Sequence, residues 1–394
     1  MSLVFDFDQV IDRRNTDCEK YDGRERLFGN PDVTPLWVAD MDFAAPPPVL
    51  DALQQRLNHG VLGYSQASNT VFEHIGKWCQ QHHNWSLSNQ HLLICPGVVP
   101  ALYACVQAFS QPGDGVIVQS PVYPYLFSAA TTNDRKLLIN PLLEHNGEYH
   151  MDWDGLEQLA PQAKLLLLCS PHNPVGRVWR VDELERLLAI AERHDLIIIS
   201  DEIHADLVFA PHQHTVLASL PNAGQRVITA MAPSKTFNIP GLSMSWLALP
   251  SAAQREAVKA AFAKLHVSMS NPLSLVATEA AYAHGEPWLS QLMAYLAQTR
   301  DEVLALLAPT AIRASPLQAT YLLWLDFRAF GLSEADMMQR LIHDAQVGLS
   351  AGSWFGETGH GFLRLNIAAP RALVLDAVQR IISTTATLNI RTSP

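Results

Sequence analysis

Lys235 lies in the segment APSKTFNIPGLSMSW (232–246), flanked by Ser234 and apolar neighbours in a stretch poor in other charges. A lysine in such surroundings is partly desolvated, which lowers its pKa and supplies the neutral amine needed to form an imine with an aldehyde. Asp201 follows directly on the apolar run DLIIIS (195–200). An ionised carboxylate there needs a cationic or hydrogen-bonding partner, and a protonated pyridine nitrogen is one such partner. Asn173 precedes Pro174 in SPHNPVGRVW (170–179), where the proline stiffens the chain, Gly176 bends it again and the loop projects an amide. In PGVVP (96–100), Gly97 permits a tight turn, and the helix that follows offers the backbone N–H groups of Val98 and Val99 to an anion such as phosphate. Singly, each has a plainer reading: a lysine whose stem covers apolar atoms, a helix-capping aspartate and two ordinary turns.

Joint meaning comes from the elements that must carry these segments. Between roughly residues 69 and 250, short apolar runs alternate with helical stretches: HLLIC (91–95), GVIVQ (115–119), KLLIN (136–140), KLLLLC (164–169), DLIIIS (195–200) and RVITAM (226–231). Near-continuous Leu, Ile and Val fit strands covered on both faces, so the expected fold is α/β, a mostly parallel sheet with helices on both faces. Ligands of such sheets sit beyond the carboxyl ends of the strands, where all four segments fall. One helix displays the period: Val181, Leu184, Leu187, Leu188 and Ala191 share a face, with Asp182, Glu183, Glu185 and Arg186 on the other. After residue 250, long Ala- and Leu-rich helices precede YLLWLDF (321–327), a helix at 333–343, FLRLNIA (362–368) and a last helix from about 370, predicting a smaller C-terminal α+β domain. The expected division is a segment 1–50, with Pro46-Pro47-Pro48 and little period of its own, crossing to the small domain; a large domain over 51–285; and the small domain over 286–394.

Composition narrows the class. The chain has 394 residues, 48% apolar and 16% charged, with 25 Pro and 20 Gly spread along it, enough for one large core or two moderate ones. With 27 basic and 38 acidic residues the net charge is −11, and no basic run overrides it, which argues against nucleic acid. Cys18, Cys79, Cys95, Cys105 and Cys169 form no C-x-x-C pair and suit a reducing cytoplasm. The opening MSLVFDFDQVIDRR lacks a basic segment followed by an apolar stretch, and the longest apolar runs are too short to span a bilayer, so a cytoplasmic protein without membrane contact is expected. The 16 histidines, His82-His83 and His212-x-His214 among them, lack the supporting spacing of a metal site, and no catalytic metal is expected.

In this chain order, the four segments resemble the fold-type I pyridoxal-phosphate family, whose architecture is that of aspartate aminotransferase. WVADMDF (37–43), LGYSQ (62–66), SPHNPVGRVW, SDEIHADL (200–207), SKTFNIPGL (234–242) and FLRLNIA are similar to the cystathionine β-lyase subgroup of the maltose-regulator type, and the resemblance covers nearly the whole chain. It implies pyridoxal 5′-phosphate carried by Lys235, with Asp201 keeping the pyridinium nitrogen protonated. Asn173 would bond the ring's phenolic oxygen and Tyr123, in SPVYPYLF, would stack on the ring, Tyr125 being the competing candidate. The phosphate would lie at Gly97, Val98 and Val99 with the Ser234 hydroxyl, helped by Tyr64 from a second subunit, which implies a homodimer with shared active sites. Arg364 would clamp the substrate carboxylate through two parallel hydrogen bonds beside Asn173, with Ala39 and Asp40 closing over it. Two positions depart from the broader aminotransferase pattern: Ser243 stands where an arginine commonly follows the lysine by eight residues, and His204 stands where many members place a tyrosine near the ring oxygen. Both tilt the expectation toward elimination. The implied reaction is α,β-elimination of L-cystathionine or a related L-cysteine S-conjugate to thiol, pyruvate and ammonia, with Lys235 removing the Cα proton and Lys235 or Tyr123 delivering one to the thiolate. An aminotransferase, and a regulatory protein that keeps the fold and binds a transcription factor, are the alternatives.

Overall fold

The computed structural model describes residues 4–388 and 390. Seven strands form the main sheet: β1 (Leu92–Cys95), β2 (Gly115–Val118), β3 (Lys136–Ile139), β4 (Ala163–Cys169), β5 (Ile197–Asp201), β6 (Val227–Met231) and β7 (Ser245–Ala248). Their order across the sheet is β1-β7-β6-β5-β4-β2-β3, and β7 alone runs antiparallel to its neighbours. Six strands thus arise from the six apolar runs of the sequence. The seventh, SWLA, begins within SMSWLALP, where serines interrupt the apolar residues, so no continuous apolar run announces it.

Both faces of the sheet are covered, and strand alternation shows it directly. Val116, Val118, Leu165, Leu167, Ile199 and Ile228 belong to one apolar core, while their neighbours Ile117, Leu166, Leu168, Ile198 and Val227 belong to another on the opposite face. The helix Val181–Arg193 seals the second core with Leu184, Leu187, Leu188 and Ala191, as its period predicts. Two of its residues depart from that prediction. Val181, the first residue of the helix, is 44% exposed. Glu183 is buried because it caps the helix through the Arg180 amide and pairs with the Arg177 guanidinium at 2.8 Å.

The C-terminal elements form a four-stranded antiparallel sheet in the order Arg313–Ala314, Leu322–Asp326, Phe362–Asn366, Ser350–Ala351. It is accompanied by the helices Glu286–Leu307, Glu334–His343 and Arg371–Thr385. The N-terminal fifty residues carry more regular structure than their sequence suggests: Glu19–Asp22 and Arg24–Phe28 are helical, and Thr34–Pro35 pairs in parallel with Val347–Gly348. These elements are each five residues or fewer, below the length at which periodicity can be read. Phe7, Leu36 and Met41 share a core with Leu292, Leu323 and Leu365, so the segment is packed against the C-terminal elements. Among the described residues, no helix is long and apolar enough to cross a membrane.

Candidate active site

A cavity of about 350 Å³ opens at the carboxyl ends of the parallel strands. Gly97, with φ +132°, turns the chain from β1 into the helix Val98–Phe109, and the first residues of that helix, Val98 and Val99, line the cavity with unpaired helical N–H groups. Asn173 enters from the loop after β4, Asp201 ends β5, His204 follows on the next turn, and Ser234 and Lys235 lie on the one-turn helix Pro233–Thr236 after β6. Tyr123, from the loop after β2, and Ala39, from the N-terminal segment, complete the wall. Cys169 and Ser243 also line it, Ser243 in the left-handed region at φ +49°.

Burial dominates the electrostatics. Lys235 is pushed down to about 8 by desolvation, which the nearby Asp40 and Asp201 only partly offset. Its Nζ donates to the Ala39 carbonyl at 2.5 Å. Asp201 is pushed up to about 7 by burial, against the pull of the Ile203 amide and Lys235. Desolvation and the positive charges of Lys235 and Arg364 bring His204 down to about 3, so its imidazole is neutral at physiological pH. Burial pushes the Tyr123 hydroxyl up, and the neighbouring Tyr125 and Asp201 add to the effect. The Tyr125 ring lies 5.2 Å from that of Tyr123 but is 47% exposed and does not line the cavity.

Arg364, in the strand Phe362–Asn366, does not itself line this cavity and reaches it through Asn173, which does. It donates to Asn173 Oδ1 at 3.0 Å and the Trp37 carbonyl at 2.9 Å, and its guanidinium lies 4.7 Å from the Phe355 ring centroid. Burial lowers it to about 10, so it stays charged. Asp40 does not share the wall with Ala39: its carboxylate takes two bonds from Arg13, at 2.6 and 3.2 Å, and faces Lys20 at 3.6 Å. Tyr64 is fully exposed on the single chain and lies apart from the cavity. Of the histidine pairs, His82 meets Glu286 at 2.8 Å, His83 meets Asp206 at 2.9 Å and His214 meets Glu202 at 2.7 Å.

Sequence reasoning passed over the residues that hold the Ala39 loop. Tyr321 donates to the Ala39 carbonyl at 2.9 Å and packs edge-on to His204, with ring centroids 6.1 Å apart. Asn238 accepts from the Met41 amide at 3.0 Å and donates to the carbonyls of Met41 and Phe43. An asparagine in a polar-interrupted turn gives no sign of a partner 197 positions away. Tyr321 opens an apolar strand and reads as part of it.

The lining suits a flat, anionic, nitrogen-containing cofactor. Asp201, 4% exposed, has no cation within salt-bridge distance among the described residues and would accept from a protonated ring nitrogen. Among the described residues, the buried His204 Nδ1 and Arg364 Nε have no hydrogen-bond partner. The helix N-terminus at Val98 and the Ser234 hydroxyl offer neutral donors to a phosphate.

Residues 31–381 match the family described as aminotransferase class I and II. Cystathionine beta-lyase PatB of Bacillus subtilis (strain 168) is 39% identical over 380 residues, covering 95% of this chain and 98% of its own length. Protein MalY of Escherichia coli (strain K12) is 34% identical over 391 residues, with 96% and 98% covered. The crystal structure of cystalysin from Treponema denticola, which contains a pyridoxal 5′-phosphate cofactor, superposes with a TM-score of 0.94 at 35% identity, covering 98% of this chain and 99% of that one. The strand order, the lysine-bearing turn after β6 and relatives aligned nearly end to end agree, and this chain belongs to the aminotransferase class I and II family.

Proposed function

We propose that the chain is a pyridoxal-phosphate-dependent carbon–sulfur β-lyase that eliminates thiol from L-cystathionine or a related L-cysteine S-conjugate. The observation that carries this reading is a desolvated Lys235 amine facing a buried, cation-free Asp201 across one cavity, in a chain 39% identical to a cystathionine beta-lyase. When bound, the cofactor supplies an aldehyde for Lys235 and a ring that accepts the electrons released at the substrate Cα.

The side chains divide the remaining work. Asp201 would accept from the protonated ring nitrogen as a carboxylate, the ring cation supplying the charge partner whose lack leaves its carboxyl raised by burial. Asn173, its oxygen engaged by Arg364, has its NH₂ group left to donate to the ring oxygen, and the neutral His204 stands on the same turn as Asp201. Tyr123 would cover the ring face, and Gly97, Val98, Val99 and Ser234 would hold the phosphate. Arg364 binds the substrate carboxylate with a guanidinium already oriented by Trp37, Ser350 and Asn173. Lys235, lowered to about 8, takes the Cα proton and returns it to the departing sulfur, with Tyr123 as a second donor.

The active assembly in this reading is a homodimer in which Tyr64 reaches the phosphate of the opposite subunit; the exposed Val61, Leu62 and Tyr64 support it. We further propose a large domain over 51–285, a small one over 286–394 and a cytoplasmic location, the latter supported by five free cysteines, four of them buried. The test is incubation of the purified protein with L-cystathionine and pyridoxal phosphate, without a keto acid. Thiol and pyruvate in equal amounts over many turnovers support the lyase. Turnover that begins only when a keto acid is added would point to an aminotransferase instead.

A further inference from the structure

The turn that presents Asp201 and His204 to the cavity also carries Glu202 and Asp206, which do not line it. Glu202 is fully buried; its carboxylate accepts from Ser200 Oγ at 2.9 Å, His214 Nε2 at 2.7 Å and the Leu217 amide at 3.1 Å. Asp206 gathers donors from two further elements. Its Oδ1 accepts from Trp78 Nε1 and His83 Nε2, each at 2.9 Å, on the helix Asn69–His83, and its Oδ2 accepts from Thr236 Oγ1 at 2.7 Å. Thr236 is fully buried and follows Lys235 directly. The His83 and His214 rings meet edge to face at 5.8 Å, joining the two carboxylates into one buried network.

Burial would raise the Asp206 carboxyl and lower the His83 imidazole, yet their contact outweighs it: Asp206 is held below the ordinary carboxylate range and His83 above the ordinary imidazole value. The contact thus favours the charged form of both partners. A buried ion pair adds little net stability, so its contribution is a fixed geometry. The helix Pro233–Thr236 is a single turn, too short to hold its own position, and the Thr236 hydroxyl is its side-chain tie to the turn bearing Asp201 and His204.

We propose that Asp206 is a positioning residue for Lys235, acting through the Thr236 hydroxyl to fix the lysine-bearing helix against the Asp201–His204 turn. The inference rests on the reading of Lys235 as the cofactor lysine. The charged and titratable groups that face its amine, Asp40, Asp201, Arg364 and His204, are untouched by a change at Thr236.

The experiment compares holoenzyme carrying Thr236→Val, which removes the hydroxyl and keeps the branched shape, with Thr236→Ser, which keeps the hydroxyl. Lys235→Ala is the control for the underlying reading. The readouts are the pH midpoint of the visible band of the lysine-bound cofactor, the rate of cofactor loss, and kcat and KM separately. Thr236→Val is expected to shift the band midpoint, speed cofactor loss and lower kcat roughly tenfold to a hundredfold, the scale of a sub-ångström to 1 Å misplacement, with KM little changed. Thr236→Ser should restore all three. A Thr236→Val enzyme with unaltered band midpoint and kcat overturns the inference, even if its melting temperature falls. A visible band that survives in Lys235→Ala overturns the reading beneath it.

Discussion

Arg364 and Asp201 are buried ionisable groups whose surroundings leave part of their bonding capacity unused. Arg364 is 5% exposed and its Nε is unbonded among the described residues, and in the proposed function it binds a planar carboxylate. Arg364→Lys keeps the charge but loses the two-point fork, and we expect KM to rise roughly tenfold to a hundredfold, in line with about 1.5–3 kcal/mol for a charged hydrogen bond, with a smaller change in kcat. For Asp201 the sign follows from a folded carboxyl at about 7 against an unfolded value near 3.8. Between those values the folded protein binds more protons than the unfolded one, so the cofactor-free chain loses stability as pH rises from about 4 to about 7. Asp201→Asn should therefore raise the melting temperature of the cofactor-free protein at pH 8 but not at pH 4, while weakening cofactor binding. Equal melting curves at both pH values would contradict the burial argument.

At the scale of elements, the N-terminal segment is fastened where it matters. Lys20 is fully buried and meets Asp42, 3% exposed, at 2.9 Å, while Arg13 spans Asp40 and Asp42. This cluster, with Asn238 and Tyr321, fixes the loop whose Ala39 carbonyl receives the Lys235 amine. Asp42→Asn leaves Lys20 inadequately compensated in the interior, and a loss of about 3–5 kcal/mol in unfolding free energy by denaturant titration is expected. The strands and the residues at their ends were legible because each depends on a run of a few neighbours: DLIIIS followed by Asp201, RVITAM followed by Lys235. The Arg13–Asp40–Asp42–Lys20 cluster, Asn238 and Asp206 were not, because their meaning lies in partners tens to nearly two hundred positions away, which periodicity does not encode. Glu183 shows the same limit inside one helix, since only the fold reveals that Arg177 neutralises its buried carboxylate.

Across the whole molecule, the sheet, the C-terminal elements and the N-terminal segment converge on one cavity: Asp201 and Lys235 line it from strand ends and Ala39 from the N-terminal segment, while Arg364 of the smaller sheet meets it through Asn173. In the proposed dimer, the phosphate draws its last donor from Tyr64 of the second subunit. Tyr64→Phe should weaken cofactor retention without altering the sedimentation coefficient, and unchanged retention in a verified dimer would remove Tyr64 from the site. The central claim is that Lys235 carries pyridoxal phosphate for carbon–sulfur elimination. Its most direct test is the visible absorption spectrum of wild-type and Lys235→Ala protein with pyridoxal phosphate, before and after L-cystathionine, with thiol and pyruvate measured together. An imine band is expected in wild type alone, with equal release of thiol and pyruvate only where that band forms. A band that persists in Lys235→Ala, or a lysine-dependent band without thiol release, would contradict it.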